Sequence, residues 1–398
     1  MKDLKHLIYF ESLLDSAHNE LVRQAKEEGQ LALGFTCYHM PEVLLNVDNC
    51  FSVRLRAPNT GSIDIASYYM SNYTCEYCRA VVERAIEGGY NFLDGLCGVD
   101  ACAQMNRCME NIELLKCIDK PNFFVTHADI PYKYTDYTLD HYVTQMQNRV
   151  LNTMHEKLGV DISDAALRDS VARHNEICKI ITELGELRKK PNPPITGYEF
   201  HVINMVSFCC PQRLILPYLK ETLTEVKKRK PDAKPWYRCR VGIVGSEVDD
   251  PNLTRMLEEA GAFIVFDRFC FGALPGREVI ELNDEEPALR QICRHYLLTS
   301  ECPRFMSNEK IEQRRKTADR LAREYSADGI IYENVKFCDF WGFERALASH
   351  VQHEEYGHPV LTIDRPYNAR TSGQLRTRFQ AFVESLEIKR IQQGKEVK

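Results

Sequence analysis

The stretch CRVGIVGSEVDDPNLTRMLEEAGAFIVFD (239–267) decides the fold. Its opening, CRVGIVGSE (239–247), is an apolar run that reads as a buried strand. NLTRMLEEAG (252–261) has helical apolar spacing and ends on glycine, and AFIVFD (262–267) is a second strand. Strand, helix and strand joined by short turns predict a parallel sheet with helices packed on it. The same alternation continues towards the C-terminus. A long helix follows Pro287, then a strand at DGIIYE (328–333), a helix from about Gly342, a strand at HPVLTID (358–364) and a last helix over about 373–394.

Reading outward to the N-terminus gives a second unit of the same kind. LALGFTCYHMPEVLL (31–45) predicts a strand, a turn at 37–39 and a helix opened by Pro41. SIDIASYYMSNYTCEYCRAVVERAIEG (62–88) is a loop reaching Cys75 and then a helix stopped by Gly88-Gly89. YNFLDGLCGV (90–99) is a strand, 101–115 a helix and PNFFVTHAD (121–129) a strand. Between the units, 136–190 is helical and charged, PNPPITG (191–197) breaks it, helix resumes to about 229, and KPDAKPWYR (230–238) is a linker. The expected fold is therefore α/β: two Rossmann-like parallel-sheet units with helices on both faces and a helical segment between them. The divisions are an N-terminal helix at 1–30, a first unit at 31–135, the helical segment at 136–230 and a second unit at 231–398.

The composition, 44% hydrophobic and 27% charged over 398 residues, suits packed cores in about two or three domains. With 18 Phe and 19 Tyr, wholesale disorder is excluded. Lys and Arg number 51 against 57 Asp and Glu, so there is no basic surplus to meet a nucleic acid. No run of about 18 apolar residues exists to span a membrane. The start, MKDLKHLIYFESLLDSAHNEL, places charges where a signal peptide needs an apolar stretch, and it reads as an amphipathic helix of a cytoplasmic protein.

The telling number is 16 cysteines. A disulfide scaffold suits a short secreted chain, which this is not. Clustered thiols in a reducing compartment bind metal or do redox chemistry, although cysteine is also a common core residue. Ligands of open parallel sheets sit beyond the carboxyl ends of the strands. Cys75, Cys102 and Cys338 fall in such places, each just before a helix N-terminus, whose free N–H groups and dipole stabilise thiolate and cluster sulfide. Two thiolates from one unit and one from the other suit an iron–sulfur cubane between the units. The alternative is zinc, starting from Cys75-x2-Cys78, although Cys97-x4-Cys102 is too widely spaced for a standard second knuckle. Spacing alone leaves both open.

Longer runs add a resemblance. TCEYCRAVVERAIEGGYNFLDGL (74–96) and ACAQMNRCMENIELL (101–115) carry a Cys-x3-Arg before a helix, a Gly-Tyr-x-x-Leu-Asp-Gly strand and a Cys opening the next helix. With GFTCYHMPEVLL (34–45), GSEVDDPNLTRMLEEAGAFIVFDRFCFG (245–272), ADGIIYENVKFCDFWGFE (327–344) and GHPVLTIDRPYNARTSGQLRTRFQAFVESL (357–386), they follow in the right order over nearly the whole chain. The chain resembles the (R)-2-hydroxyacyl-CoA dehydratase / benzoyl-CoA reductase family in these runs. The resemblance puts that family's three cluster cysteines on Cys75, Cys102 and Cys338. One departure is Ala103, where the family usually has Asp.

The resemblance implies a [4Fe–4S] cluster and dehydration of an (R)-2-hydroxyacyl-CoA thioester to the 2-enoyl-CoA by one-electron, ketyl-radical chemistry. It also implies an ATP-hydrolysing iron–sulfur activator protein and a dimer with a sister subunit or an identical copy. The chain has neither G-x-x-x-x-G-K-[ST] nor G-x-G-x-x-G, in keeping with an electron source on another protein. Sister readings are a benzoyl-CoA-reductase-like subunit and a double-cubane cluster reductase, in which six cysteines hold two bridged cubanes. A third option is a non-catalytic electron-transfer partner.

The candidate additional ligands are Cys37 and Cys78, each also readable as core filling. Cys108, Cys270 and Cys302 read first as structural, and with Cys37, Cys78, Cys209 and Cys210 they are the spare cysteines that keep the double-cubane reading open. Glu42 is the candidate catalytic carboxylate, with a plain first-turn acid as the bland reading. Arg79 and Arg107 are candidates to offset cluster charge or surface residues. Asp249-Asp250 reads as an interface loop or a capping turn. His39 and His127 follow strands as core or rim residues, and Arg376 and Arg378 face the domain junction or CoA phosphates.

Overall fold

The computed structural model describes residues 1–273, 277–368 and 373–392. It holds two four-stranded sheets, every pairing parallel. The first contains β1 (Leu31–Phe35), β2 (Cys50–Arg54), β3 (Gly95–Val99) and β4 (Phe124–Ala128) in the order β2-β1-β3-β4. The second contains β5 (Cys239–Gly245), β6 (Ala262–Arg268), β7 (Gly329–Val335) and β8 (Val360–Arg365) in the order β6-β5-β7-β8. The two units thus repeat one topology. All residues of β2, β3, β5, β6 and β7 are buried. That is why these strands read as continuous apolar runs and not as alternating ones.

The α/β expectation holds, with four local differences. CFSVR of β2 lies where no strand was expected, because an apolar run of five residues is too short to separate from a buried turn by pattern. The helix expected after Pro41 is a 3₁₀ stretch, Glu42–Asn46. The N-terminal segment is two helices, Leu7–Leu13 and Glu20–Glu27, the second capped by Asn19. The long helix expected after Pro287 is two, Ala288–Thr299 and Asn308–Glu324, parted at Cys302-Pro303. Proline within a helix removes one backbone hydrogen bond and crowds the preceding turn, and the break has a consequence for the site.

Helix Gly197–Cys209 (GYEFHVINMVSFC) buries all its residues but Tyr198. It packs on both β2 and β6, so the sheets share one apolar core through it. Its polar members are satisfied inside, Glu199 by Arg229 at 2.8 Å, His201 by Thr254 Oγ1 at 3.1 Å and Asn204 by the Phe271 carbonyl at 2.9 Å, as buried polar groups require. The C-terminal ends of β1, β3, β5, β6 and β7 then open onto one space between the sheets.

Candidate metal centre

That space is a cavity of about 240 Å³ lined by seven cysteines: Cys37, Cys75, Cys78, Cys102, Cys270, Cys302 and Cys338. Cys37 lies two residues beyond β1, Cys102 three beyond β3, Cys270 two beyond β6 and Cys338 three beyond β7. Cys302 arrives from the break between Ala288–Thr299 and Asn308–Glu324. Cys75, Cys102 and Cys338 are the N-cap residues of helices Glu76–Ile86, Ala103–Leu114 and Asp339–Glu354. Each sulfur therefore sits at the end of a helix where N–H groups lack intrahelical partners. Met105 N–H donates to Cys102 Sγ at 3.4 Å. Just before Cys338, Phe337 takes φ +68°, a left-handed conformation uncommon for a bulky side chain.

The thiols differ in their electrostatics. A hydrogen bond from the Cys78 thiol, with the amides of Cys78 and Tyr77, outweighs burial and lowers Cys75 from the ordinary thiol value. The same hydrogen bond together with burial raises Cys78. Burial pushes Cys102 up to about 12 and Cys37 up to about 11, and it raises Cys338 and Cys270 as well. A bare site of this kind holds protons that a metal must displace.

Two arginines face the thiols, and sequence reasoning missed both. Arg54 ends β2 and Arg268 ends β6, the same place in each unit, and both are buried on the cavity wall. Arg54 lies 3.6 Å from Glu247, stacks 4.0 Å over the Phe271 ring and donates to the Cys270 carbonyl at 2.6 Å. Arg268 pairs with Glu301. Burial pushes Glu247 up to about 8, against the pull of Arg54. The available signal was an arginine closing an apolar strand, CFSVR and AFIVFDR, where a buried charge needs a partner.

Other candidates fall elsewhere. His39 lines the cavity and bonds to Ser300 Oγ at 2.7 Å, with Cys37 Sγ at 3.5 Å from its other ring nitrogen. Glu42 lies outside the lining, beside a small neighbouring pocket, 2.8 Å from Arg277 and 2.9 Å from His174. Arg79 is buried and holds the loop before Cys75 through Thr74 O, Ser67 Oγ and Asn72 Oδ1. Arg107 is a surface residue, 2.8 Å from Glu110. Asp249 accepts from Tyr367 Oη at 2.5 Å in the junction, and Asp250 caps Asn252 N–H at 3.0 Å. Arg376 meets Glu259 and Arg378 meets the Thr362 carbonyl, so both stay on the second unit. His127, Cys108, Cys209 and Cys210 do not line the cavity.

Among the described residues, no three His, Cys, Asp or Glu close to the spacing of a single metal ion. Cys97, needed for a second zinc knuckle, is buried on β3 in the core and does not face the cavity. Single-ion ligands converge on one point within about 2.3 Å, whereas cluster thiolates bind different irons around a larger body. A ring of cysteines about an open cavity has the donor chemistry of the second kind.

A family model described as 2-hydroxyglutaryl-CoA dehydratase, D-component, matches residues 37–386. The chain is 23% identical over 385 residues to the (R)-phenyllactyl-CoA dehydratase beta subunit of Clostridium sporogenes, covering 95% of this chain and 97% of the relative. It is 23% identical over 324 residues to a subunit of the benzoyl-CoA reductase of Thauera aromatica, covering 81% of each. With the beta subunit of (R)-2-hydroxyglutaryl-CoA dehydratase of Acidaminococcus fermentans the identity is 20% over 387 residues, covering 92% and 95%.

Proposed function

The chain belongs to the 2-hydroxyglutaryl-CoA dehydratase D-component family, and from that premise we propose that it is the iron–sulfur subunit of an activator-driven hydro-lyase converting an (R)-2-hydroxyacyl-CoA to the 2-enoyl-CoA. The observation that carries the reading is the meeting of three N-cap cysteines, Cys75, Cys102 and Cys338, from both sheet units on one cavity. A [4Fe–4S] cluster on these thiolates would supply an electron at low potential and an iron able to polarise the thioester carbonyl or the 2-hydroxyl.

The residues around it have definable tasks. Arg54 and Arg268 offset the negative charge that thiolates and sulfides bring into a buried place. Phe269, Phe340 and Trp341 give the cavity apolar walls, which exclude water from reactive species. The named relatives are parts of multi-subunit enzymes, which supports a sister subunit or a second copy as partner, with an ATP-hydrolysing iron–sulfur protein as electron source. All 16 cysteines are unpaired, which supports a reducing compartment such as the cytoplasm. Among the described residues, no helix is long and apolar enough to cross a membrane.

One observation favours a second reading. Seven cysteines line the cavity where three suffice for one cubane, and the surplus suits a double-cubane reductase. Iron and acid-labile sulfide per chain, measured after anaerobic purification, separate the two. About four irons support the dehydratase reading and about eight the double cluster, while zinc without iron overturns both. Replacing Cys75, Cys102 or Cys338 with Ala should each abolish normal assembly. C78A should leave a single cubane intact, and loss of about half the iron would point to two.

A further inference from the structure

The three N-cap cysteines come from three different loops, and one side chain ties all three loops together. Gln104 is the second residue of helix Ala103–Leu114, two positions after Cys102. Its Oε1 accepts from the backbone N–H of Cys75 at 3.0 Å. Its Nε2 donates to Oδ2 of Asp339 at 2.7 Å, and Asp339 directly follows Cys338. The orientation of the amide is forced, since a backbone N–H only donates and a carboxylate only accepts.

We infer that Gln104 is a positioning residue that fixes Cys102 against Cys75 and Cys338 across the two units before a cluster is bound. This rests on the iron–sulfur reading above. Among the described residues, the bond from Gln104 is the side-chain hydrogen bond joining the helix behind Cys102 to the helix behind Cys338. The loop of Cys75 has its own ties to the second unit: Glu76 N–H donates to the Lys336 carbonyl at 3.3 Å, and Tyr367 N–H donates to Glu76 Oε2 at 2.6 Å. Removing Gln104 therefore frees Cys102 from the other two, while the ties of Glu76 still hold the loop of Cys75 beside that of Cys338.

The chemistry needs an amide. A single side chain must accept from one unit's backbone and donate to the other unit's carboxylate. Glutamate accepts but cannot donate when ionised, and it would set a second negative charge against Asp339. Leucine fills the space and does neither. The expected pattern follows from pairing. Q104L and Q104E both lose the bridge. In Q104E/D339N the donor and acceptor exchange places: the new carboxylate at 104 still accepts from Cys75 N–H and now also accepts from the new amide at 339.

Two measurements read this. Hydrogen exchange by mass spectrometry on the metal-free chain follows the segment containing the Cys75 amide. It should exchange faster in Q104L and stay near the wild-type rate in Q104E and Q104E/D339N, where a carboxylate at 104 still accepts from the Cys75 amide. Iron release to a chelator from the anaerobically reconstituted chain should be about tenfold faster in both single variants, the factor that loss of the one hydrogen bond to the charged Asp339 carboxylate supplies. It should return towards the wild-type rate in the double variant, as should the paramagnetic resonance of the reduced cluster. Wild-type exchange in Q104L, wild-type release in Q104E, or a double variant that releases iron no more slowly than Q104E, would overturn the role given to Gln104 and leave the cluster reading standing. A wild-type chain that takes up no iron would overturn that reading, and the positioning role with it.

Discussion

A carboxylate sealed away from water keeps its charge only where cations meet it, and Glu42 is met twice. Arg277 Nη1 lies 2.8 Å and His174 Nδ1 2.9 Å from its Oε1, all three side chains being almost wholly buried. Burial opposes ionisation, but Arg277 and then His174 outweigh it and hold Glu42 at about 2. His174 is raised to about 10: burial lowers it, and the Cys178 sulfur at 3.2 Å together with Glu42 more than offsets that. Because the folded pKa of Glu42 is depressed, its contribution is complete above the ordinary value of 4.5 and is lost as pH falls through about 2. His174 has the opposite sign, with a contribution complete below 6.5 and lost as pH rises through about 10. The urea midpoint of the metal-free chain should therefore fall between pH 6.5 and about 10 in the wild type and stay flatter in H174Q. Parallel curves would show that His174 is not held as a cation. E42Q strands two buried cations and should lower stability by about 3–5 kcal/mol, read as the shift in the same midpoint. None of this was legible in the sequence. Glu42 sits in a Pro-Glu turn that looks like any first-turn acid, and Arg277 lies 235 residues away.

At the scale of elements, close strand contact decides where a methyl group is tolerated. A Cβ on Gly245, at the end of β5, would fall 2.4 Å from the backbone oxygen of Glu333 on β7. Backbone cannot swing aside, so G245A must part β5 from β7 just before Ser246 and Glu247 enter the cavity wall. It should cost about 1–3 kcal/mol. Gly342, inside helix Asp339–Glu354, meets only Asn334 Nδ2 at 3.8 Å, so G342A should stabilise by about 0.5–1 kcal/mol through helix propensity. Denaturant midpoints of the pair should move in opposite directions, and equal shifts would contradict the close β5–β7 approach. Most elements were readable because a buried parallel strand is apolar throughout and its helix carries capping and stop residues. β2 was not, since its place is set by pairing with β1 and not by its own five residues. The parting of the chain at Cys302-Pro303 was readable only as a proline within a helical pattern, yet it delivers a cysteine to the cavity.

At the scale of the whole molecule, the convergence of Cys75, Cys102 and Cys338 on one space was legible because strand ends and helix starts can be placed from pattern, and open parallel sheets gather their strand-end loops together. The arginines facing them were not, because a pattern reading places strands without saying which ends of two sheets meet. The units meet through buried polar contacts, and Arg56 is central to them. It donates to the Asp249 carbonyl at 2.8 and 2.6 Å in the second unit and to the Leu14 carbonyl at 2.8 Å in the N-terminal segment. Its own carbonyl accepts from Tyr90 Oη at 2.9 Å, so the junction is tied to the turn between helix Glu76–Ile86 and β3 of the first unit as well. Such bonds make the folding of one unit depend on the other. Both tryptophans, Trp236 and Trp341, belong to the second stretch of the chain, so indole fluorescence reports that unit while far-ultraviolet dichroism reports every helix. In the wild type the two unfolding curves should coincide, as cooperative unfolding requires. In R56M two buried carbonyls lose their donor, at about 1–3 kcal/mol each, and this cost falls on the junction and not on either sheet. The fluorescence and dichroism curves should then separate, one unit outlasting the other. Curves that shift together would mean that helix Gly197–Cys209, packed on both β2 and β6, couples the sheets without help from Arg56.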